Sequence, residues 1–177
     1  MFNLCVLGHS LVPTNLTIDS STVNLEILRY PGATIPTITA KLNDINFWNR
    51  NYDGLILILG GNDLAQHSVE HVFDQLCTLA RRLRPTTRFL SICTIEYRLY
   101  PRHNRFGVDQ QTYRRKVVTI NRKIRRFAKA INAKIVDLGR RDLTINHVGD
   151  GVHFSPVGVR YLCHILHRVV TAYLHTN

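Results

Sequence analysis

Four short stretches of this chain carry side chains suited to hydrolysis. Gly8-His9-Ser10-Leu11 offers a hydroxyl, and Pro31-Gly32-Ala33-Thr34 a glycine N–H. Gly60-Gly61-Asn62-Asp63 offers a carboxamide. Asp150-Gly151-Val152-His153 offers a carboxylate and an imidazole three residues apart. A serine hydroxyl is a poor nucleophile until a base removes its proton, and a neutral imidazole suits that task near neutral pH. A carboxylate on the other ring nitrogen fixes the tautomer and stabilises the imidazolium that forms. The oxyanion at an attacked carbonyl needs donors already in place, and Ser10 N–H, Gly32 N–H and the Asn62 amide would supply three. Taken singly, each signal is ordinary. A serine after a strand usually caps a helix, and Gly-Gly-Asn-Asp reads as a turn. The combination is what points to chemistry.

The chain must fold so that these stretches meet. Short apolar runs bounded by Gly, Pro, Asn or Asp predict strands at Phe2–Leu7, Val23–Leu28, Leu55–Leu59, Phe89–Cys93 and Lys134–Val136. Their continuous apolarity suits strands buried on both faces. An apolar period near 3.6 predicts helices over Val69–Leu83, Tyr113–Ile131 and Pro156–Leu174, the last with Ser155 as N-cap and Pro156 at the first helical position. Strand–helix alternation implies an α/β fold, a parallel sheet with helices on both faces. Ligands bind such sheets beyond the carboxyl ends of the strands. All four stretches fall after a strand or before a helix, where loops can converge on one edge.

In this order the four blocks resemble the SGNH (GDSL-type) hydrolase family, from Gly8 to the final helix. The resemblance implies a three-layer α/β/α sandwich with a five-stranded parallel sheet of flavodoxin-like kind, matching the independent strand count. It implies Ser10 as nucleophile, His153 as base and Asp150 as its partner, with Ser10, Gly32 and Asn62 as the oxyanion hole. One departure stands out: the family's usual Gly-Asp-Ser-Leu is Gly-His-Ser-Leu here. His9 replaces an acid that orders the nucleophile loop, so weakened activity is expected. Pro-Gly-Ala-Thr and the Arg/Asn-rich segment after the fourth strand look most like the retrotransposon-associated esterase branch of the family.

At 177 residues, one domain over 1–177 is expected. A composition of 45% hydrophobic and 20% charged residues excludes a disordered chain, a collagen and a coiled coil. No run of 18 apolar residues and no secretory leader is visible. Cys5, Cys77, Cys93 and Cys163 sit among apolar neighbours without CxxC spacing and read as reduced, buried thiols, which favours an intracellular, cytoplasmic setting. GxSxG, GxGxxG and GxxxxGK[ST] motifs are absent. His67, His71 and Gln75 recur at four-residue spacing, but without cysteine or HExxH nearby no metal is expected.

The net charge of +11 is unevenly placed. Residues 98–141 hold 14 Lys/Arg and two acids, and the remainder nine bases and ten acids. On a helix turning 100° per residue, Arg114, Arg115, Arg122, Arg125, Arg126 and Lys129 share a sector of about 120°. Val118 interrupts that sector. A polar face is required of any amphipathic helix, but six cations without an interleaved acid repel one another. The sequence reading is therefore a cofactor-free serine esterase for small acyl esters, acetyl foremost, acting through an acyl-enzyme. The alternative is an SGNH-like binding module whose basic face holds RNA, DNA or anionic lipid.

Overall fold

In the computed structural model, residues 1–14, 16, 18, 21–98, 109–138 and 150–175 are described. Five strands form one sheet: β1 (Phe2–Gly8), β2 (Val23–Arg29), β3 (Tyr52–Ile58), β4 (Thr87–Cys93) and β5 (Lys134–Val136). Their order is β2-β1-β3-β4-β5, and every pairing is parallel. Among the described residues five α-helices accompany them: α1 (Ile35–Asp44), α2 (Gly61–Gln66), α3 (Val69–Leu83), α4 (Gln110–Ala130) and α5 (Pro156–Leu174).

Alternate strand residues feed two cores. Cys5, Leu7, Leu55, Leu57, Leu90 and Ile92 pack with the apolar faces of α1, α3 and α4. Leu4, Val6, Ile56, Ile58, Cys93 and Val136 pack with α5 and with Leu11 and Val12 of the first loop. The result is the expected three-layer α/β/α sandwich. A buried hydrogen bond between Ser91 and Tyr173 ties β4 to α5 across the second core.

The sequence expectation holds best for the central strands, where β1 and β3 are buried along nearly their whole length. It fails for β2, which is half-buried apart from an exposed Asn24, and for β5, exposed at Lys134. Both are edge strands, so apolarity there overstates burial. Two helices were not anticipated. α1 is rich in Thr and Ile, weak helix formers, and is started by the Thr34 side chain with Pro36 in its first turn. α2 spans six residues, too few to show a period. α4 begins three residues earlier than its apolar pattern, because Asp109 accepts from Thr112 N at 2.9 Å and caps it.

The strand order reverses direction between β1 and β3: after β1 the chain moves outward to β2, then returns to β3 on the other side. A crevice opens at such a point beyond the carboxyl ends. Here the approach is very close. A Cβ on Gly8 would lie 2.0 Å from Ile58 O, and His9 N donates to that same oxygen at 3.1 Å. Only glycine fits at position 8.

His9 follows, 1% exposed. Its Nδ1 accepts from Leu11 N at 3.3 Å, the bond a carboxylate could accept at the same place, so the imidazole substitutes as turn former. It does so as the neutral base. Burial first of all, then the cations Arg98 and Arg29 and the nearby His153, pull its pKa from 6.5 to about 4 against the opposing pull of Glu96. The unfolded chain thus takes up this proton as pH falls below 6.5, whereas the fold resists until about 4. Stability contributed by neutral His9 is complete above 6.5 and is lost across that window. Replacing His9→Asn, which keeps an acceptor but cannot titrate, should remove about 3 kcal/mol from the loss between pH 7 and pH 4. Urea unfolding at a series of pH values checks this; the same pH dependence in the two proteins would show that burial leaves the His9 pKa unshifted.

Candidate active site

Ser10 sits one residue beyond the Gly8–Ile58 approach. Its turn is held from β2 as well as from His9. Arg29, the last residue of β2, donates through Nη2 to Ser10 O at 3.2 Å and through Nε to Val12 O at 2.9 Å. The serine is therefore fixed by its backbone, with the side chain half-buried at the strand edge.

Gly32 lies in the turn after β2. Ala33 N donates to Tyr30 O at 3.1 Å, with Pro31 second and Gly32 third, the residue order of a type II turn. Gly32 has φ +74°, which such a turn demands and glycine adopts without strain. A Cβ there would meet nothing within 4 Å. The glycine thus serves the turn, and the space before it is open.

Asn62 is the second residue of α2. Its Nδ2 donates to Ala33 O at 3.0 Å, which joins the Gly32 turn to the α2 start and leaves one amide hydrogen for another acceptor. The neighbouring Asp63 reinforces the junction. It is 1% exposed, and its Oδ1 accepts from Ile35 N, the first residue of α1, at 2.8 Å. Burial raises its pKa more than that bond lowers it. Sequence reading took Gly-Gly-Asn-Asp as a loop, but Asn62 and Asp63 are helical and face two different partners.

Asp150 and His153 form a closed local unit. Asp150 Oδ1 accepts from Val152 N at 2.8 Å and from His153 N at 2.9 Å. Asp150 Oδ2 meets His153 Nδ1 at 2.6 Å. Burial pushes the carboxyl upward, but the His153 ring and the two backbone donors outweigh it and hold the pKa down to about 2. An ionised carboxylate only accepts, so Nδ1 carries the hydrogen, and Nε2 is the nitrogen that can act as a base. The ring is about half exposed. His153 bears on the charge of His9, beside Ser10, and Asp150 on that of Arg98, beneath Asn62. Among the described residues, Ser10 and His153 make no hydrogen bond to each other.

Two residues of this site carried no sequence signal beyond their charge. Arg98 Nη2 donates to Asn62 Oδ1 at 3.0 Å, and Arg98 Nε to Glu96 Oε1 at 3.4 Å. Both follow β4, in a segment the family blocks do not touch.

The histidines singled out by spacing do other things. His71 Nε2 and Gln75 Nε2 lie 3.0 Å apart, and the His67 and His71 rings pack at 4.9 Å. Among the described residues no three His, Cys, Asp or Glu side chains gather as a metal site. The four cysteines are free, three of them buried. No helix among the described residues is long and apolar enough to cross a membrane. All six cations of the basic sector are exposed on α4, with Val118 46% exposed among them. Arg125 is committed to Asp137, which follows β5, through two 3.0 Å contacts. The acid absent from the helix is thus supplied from elsewhere in the fold.

Comparison with known proteins agrees with this architecture. The sequence model for GDSL-like lipase/acylhydrolases matches residues 15–166, a span that includes Gly32, Asn62, Asp150 and His153 and begins after Ser10. No curated protein matches the chain significantly. Among solved structures, a lipase/acylhydrolase from Enterococcus faecalis is similar with TM-score 0.72 at 19% identity, over 97% of this chain and 96% of that one. A lipolytic protein of the G-D-S-L family from Veillonella parvula gives 0.76 at 15%, over 97% and 99%. An acetylxylan esterase from Geobacillus stearothermophilus gives 0.72 at 15%, over 94% and 93%. These likenesses speak for the fold, and the sequence match for the lineage. The chain belongs to the GDSL-like lipase/acylhydrolases, the SGNH serine hydrolases of carboxylic esters.

Proposed function

We propose that the protein hydrolyses small acyl esters, acetyl esters foremost, through an acyl-enzyme on Ser10. The observation that carries this reading is the Asp150–His153 pair, in which the carboxylate takes up His153 Nδ1 at 2.6 Å and leaves Nε2 as the ring nitrogen for Ser10. In the proposed cycle, His153 Nε2 takes the Ser10 proton as Oγ attacks the ester carbonyl. Asp150, already ionised, stabilises the imidazolium. The new oxyanion accepts from Ser10 N–H, Gly32 N–H and the remaining Asn62 Nδ2 hydrogen. The imidazolium then protonates the departing alkoxide. Water, deprotonated by the same ring, attacks the acyl-enzyme and releases the acid and free Ser10. No step calls for a metal or organic cofactor.

The acetylxylan esterase among the structural neighbours is in keeping with a short acyl group on this fold. 4-Nitrophenyl acetate should accordingly be cleaved faster than the butyrate and octanoate esters, with Ser10→Ala at background rate. Asp150→Asn should cost about 10⁴-fold in kcat by favouring the wrong tautomer. Full turnover in Ser10→Ala, at unchanged melting temperature, would refute the mechanism.

A second reading concerns α4. The exposure of Arg114, Arg115, Arg122, Arg126 and Lys129 on one face favours contact with a polyanion, with RNA the first to try. Such contacts are electrostatic and largely independent of sequence. Affinity for single-stranded RNA should fall with salt by a slope of about 0.7 per phosphate contacted. Changing Arg115, Arg122 and Arg126 together to Glu should weaken binding and flatten that slope while ester hydrolysis persists. Fluorescence anisotropy at several salt concentrations measures it, and no binding at low salt to RNA, DNA or anionic vesicles would make the face a solvated one.

A further inference from the structure

The segment after β4 carries a buried ion pair that the proposed catalytic cycle does not use. α4 holds the segment in place: Asn121 Nδ2 donates to Ile95 O and Asn121 Oδ1 accepts from Ile95 N, both at 2.8 Å. Just beyond, the Glu96 and Arg98 side chains are 3% and 11% exposed. The Arg98 guanidinium lies 5.3 Å from the centre of the buried Tyr113 ring and reaches Asn62 Oδ1 at 3.0 Å. A buried ion pair is no better for stability than apolar packing of the same volume, since both charges give up water. This one also constrains its neighbour. A Cβ on Gly61 would lie 2.5 Å from Glu96 Oε1 and 2.9 Å from Arg98 Nη2, so a side chain before Asn62 would push the ion pair aside.

An asparagine amide has two ends of opposite character. Turned one way, it offers N–H to an oxyanion; turned the other way, it offers a repelling oxygen. At Asn62 the choice is made by Arg98 on one side, which only donates, and by Ala33 O on the other, which only accepts. Both contacts demand the same orientation. A hydrogen bond from a charged donor is also stronger than a neutral one and polarises the amide it meets.

We propose that Arg98, held by Glu96, is a positioning residue for the oxyanion hole: it fixes the Asn62 amide with Nδ2 toward the substrate oxygen and sharpens that N–H as a donor. This rests on the reading of Asn62 as an oxyanion donor. Arg98 acts through Asn62, so its loss lowers kcat rather than weakening substrate binding. The effect also vanishes once Asn62 is gone. General damage to the fold, or a direct influence of the Arg98 charge on the Asp150–His153 pair, would persist without Asn62.

A double-mutant cycle separates these cases. Asn62→Ala, Arg98→Gln and the double variant are assayed with 4-nitrophenyl acetate, alongside thermal unfolding. Asn62→Ala should lower kcat by about 10²–10³-fold. Arg98→Gln should lower it by about tenfold or more, with KM changed less than about twofold. The double variant should match Asn62→Ala alone. Arg98→Lys keeps a cation against Glu96 and serves the same cycle if Arg98→Gln fails to fold; its kcat should fall between wild type and Arg98→Gln, or below wild type where only Lys is measurable. If either Arg98 variant slows the enzyme as much in the Asn62→Ala background as in wild type, the proposal is overturned and the Asn62 role stands. If Asn62→Ala turns over at the wild-type rate, the oxyanion reading fails and the proposal fails with it.

Discussion

The structure depends on how closely β1 and β3 pass at their carboxyl ends. Gly8 abuts the Ile58 carbonyl with no space for a side chain, and His9 N closes the contact with a hydrogen bond to the same oxygen. Parallel neighbours that diverge beyond such a contact leave a crevice between their following loops. The loop after β1 holds Ser10 and the one after β3 starts α2 with Asn62. Arg29 from β2 braces the serine turn from the opposite side.

Around that crevice, polar groups are held by acceptors and donors that leave few alternatives. The Ala33 carbonyl, the Asn62 amide, the Arg98 guanidinium and the Glu96 carboxylate form one chain of hydrogen bonds. Asp150 is likewise saturated, with two backbone donors on one oxygen and the imidazole on the other. Buried polar networks are costly when half satisfied and rigid when complete. Among the described residues, two atoms beside the crevice depart from completeness, His9 Nε2 and Asp63 Oδ2, each buried without a hydrogen-bond partner, as is Gln75 Oε1 on α3. His9 and Asp63 flank the crevice, and both are pushed by burial toward their neutral forms. Fixed dipoles beside a reacting carbonyl are the usual source of rate in acyl transfer.

The basic face on α4 is separate in construction. The apolar side of that helix, with Tyr113, Val117, Ile120, Ile124 and Phe127, belongs to the first core, and Asn121 from the same helix steadies the loop carrying Arg98. One helix thus supports the site from its buried side and presents cations from its exposed side. Charge reversal on the exposed side leaves the buried contacts untouched.

By itself the sequence determined the central strands, the three long helices and the Asp150–His153 pair. Strand and helix burial repeat every 2 or 3.6 residues, and the pair closes over three positions, so these features are local and periodic. The resemblance of the four blocks added the family and the order of roles. Tertiary structure alone decided the rest. α1 and α2 are too short or too poor in helix formers to announce themselves. Asn62 meets partners 29 and 36 positions away, at Ala33 and Arg98, and only the strand order β2-β1-β3-β4-β5 makes them neighbours. The packing of the loops beyond those strands also buries His9 and holds it neutral. No local period encodes which strands lie side by side, and the contacts that hold Asn62 cross from the loop of one strand to the loops of others.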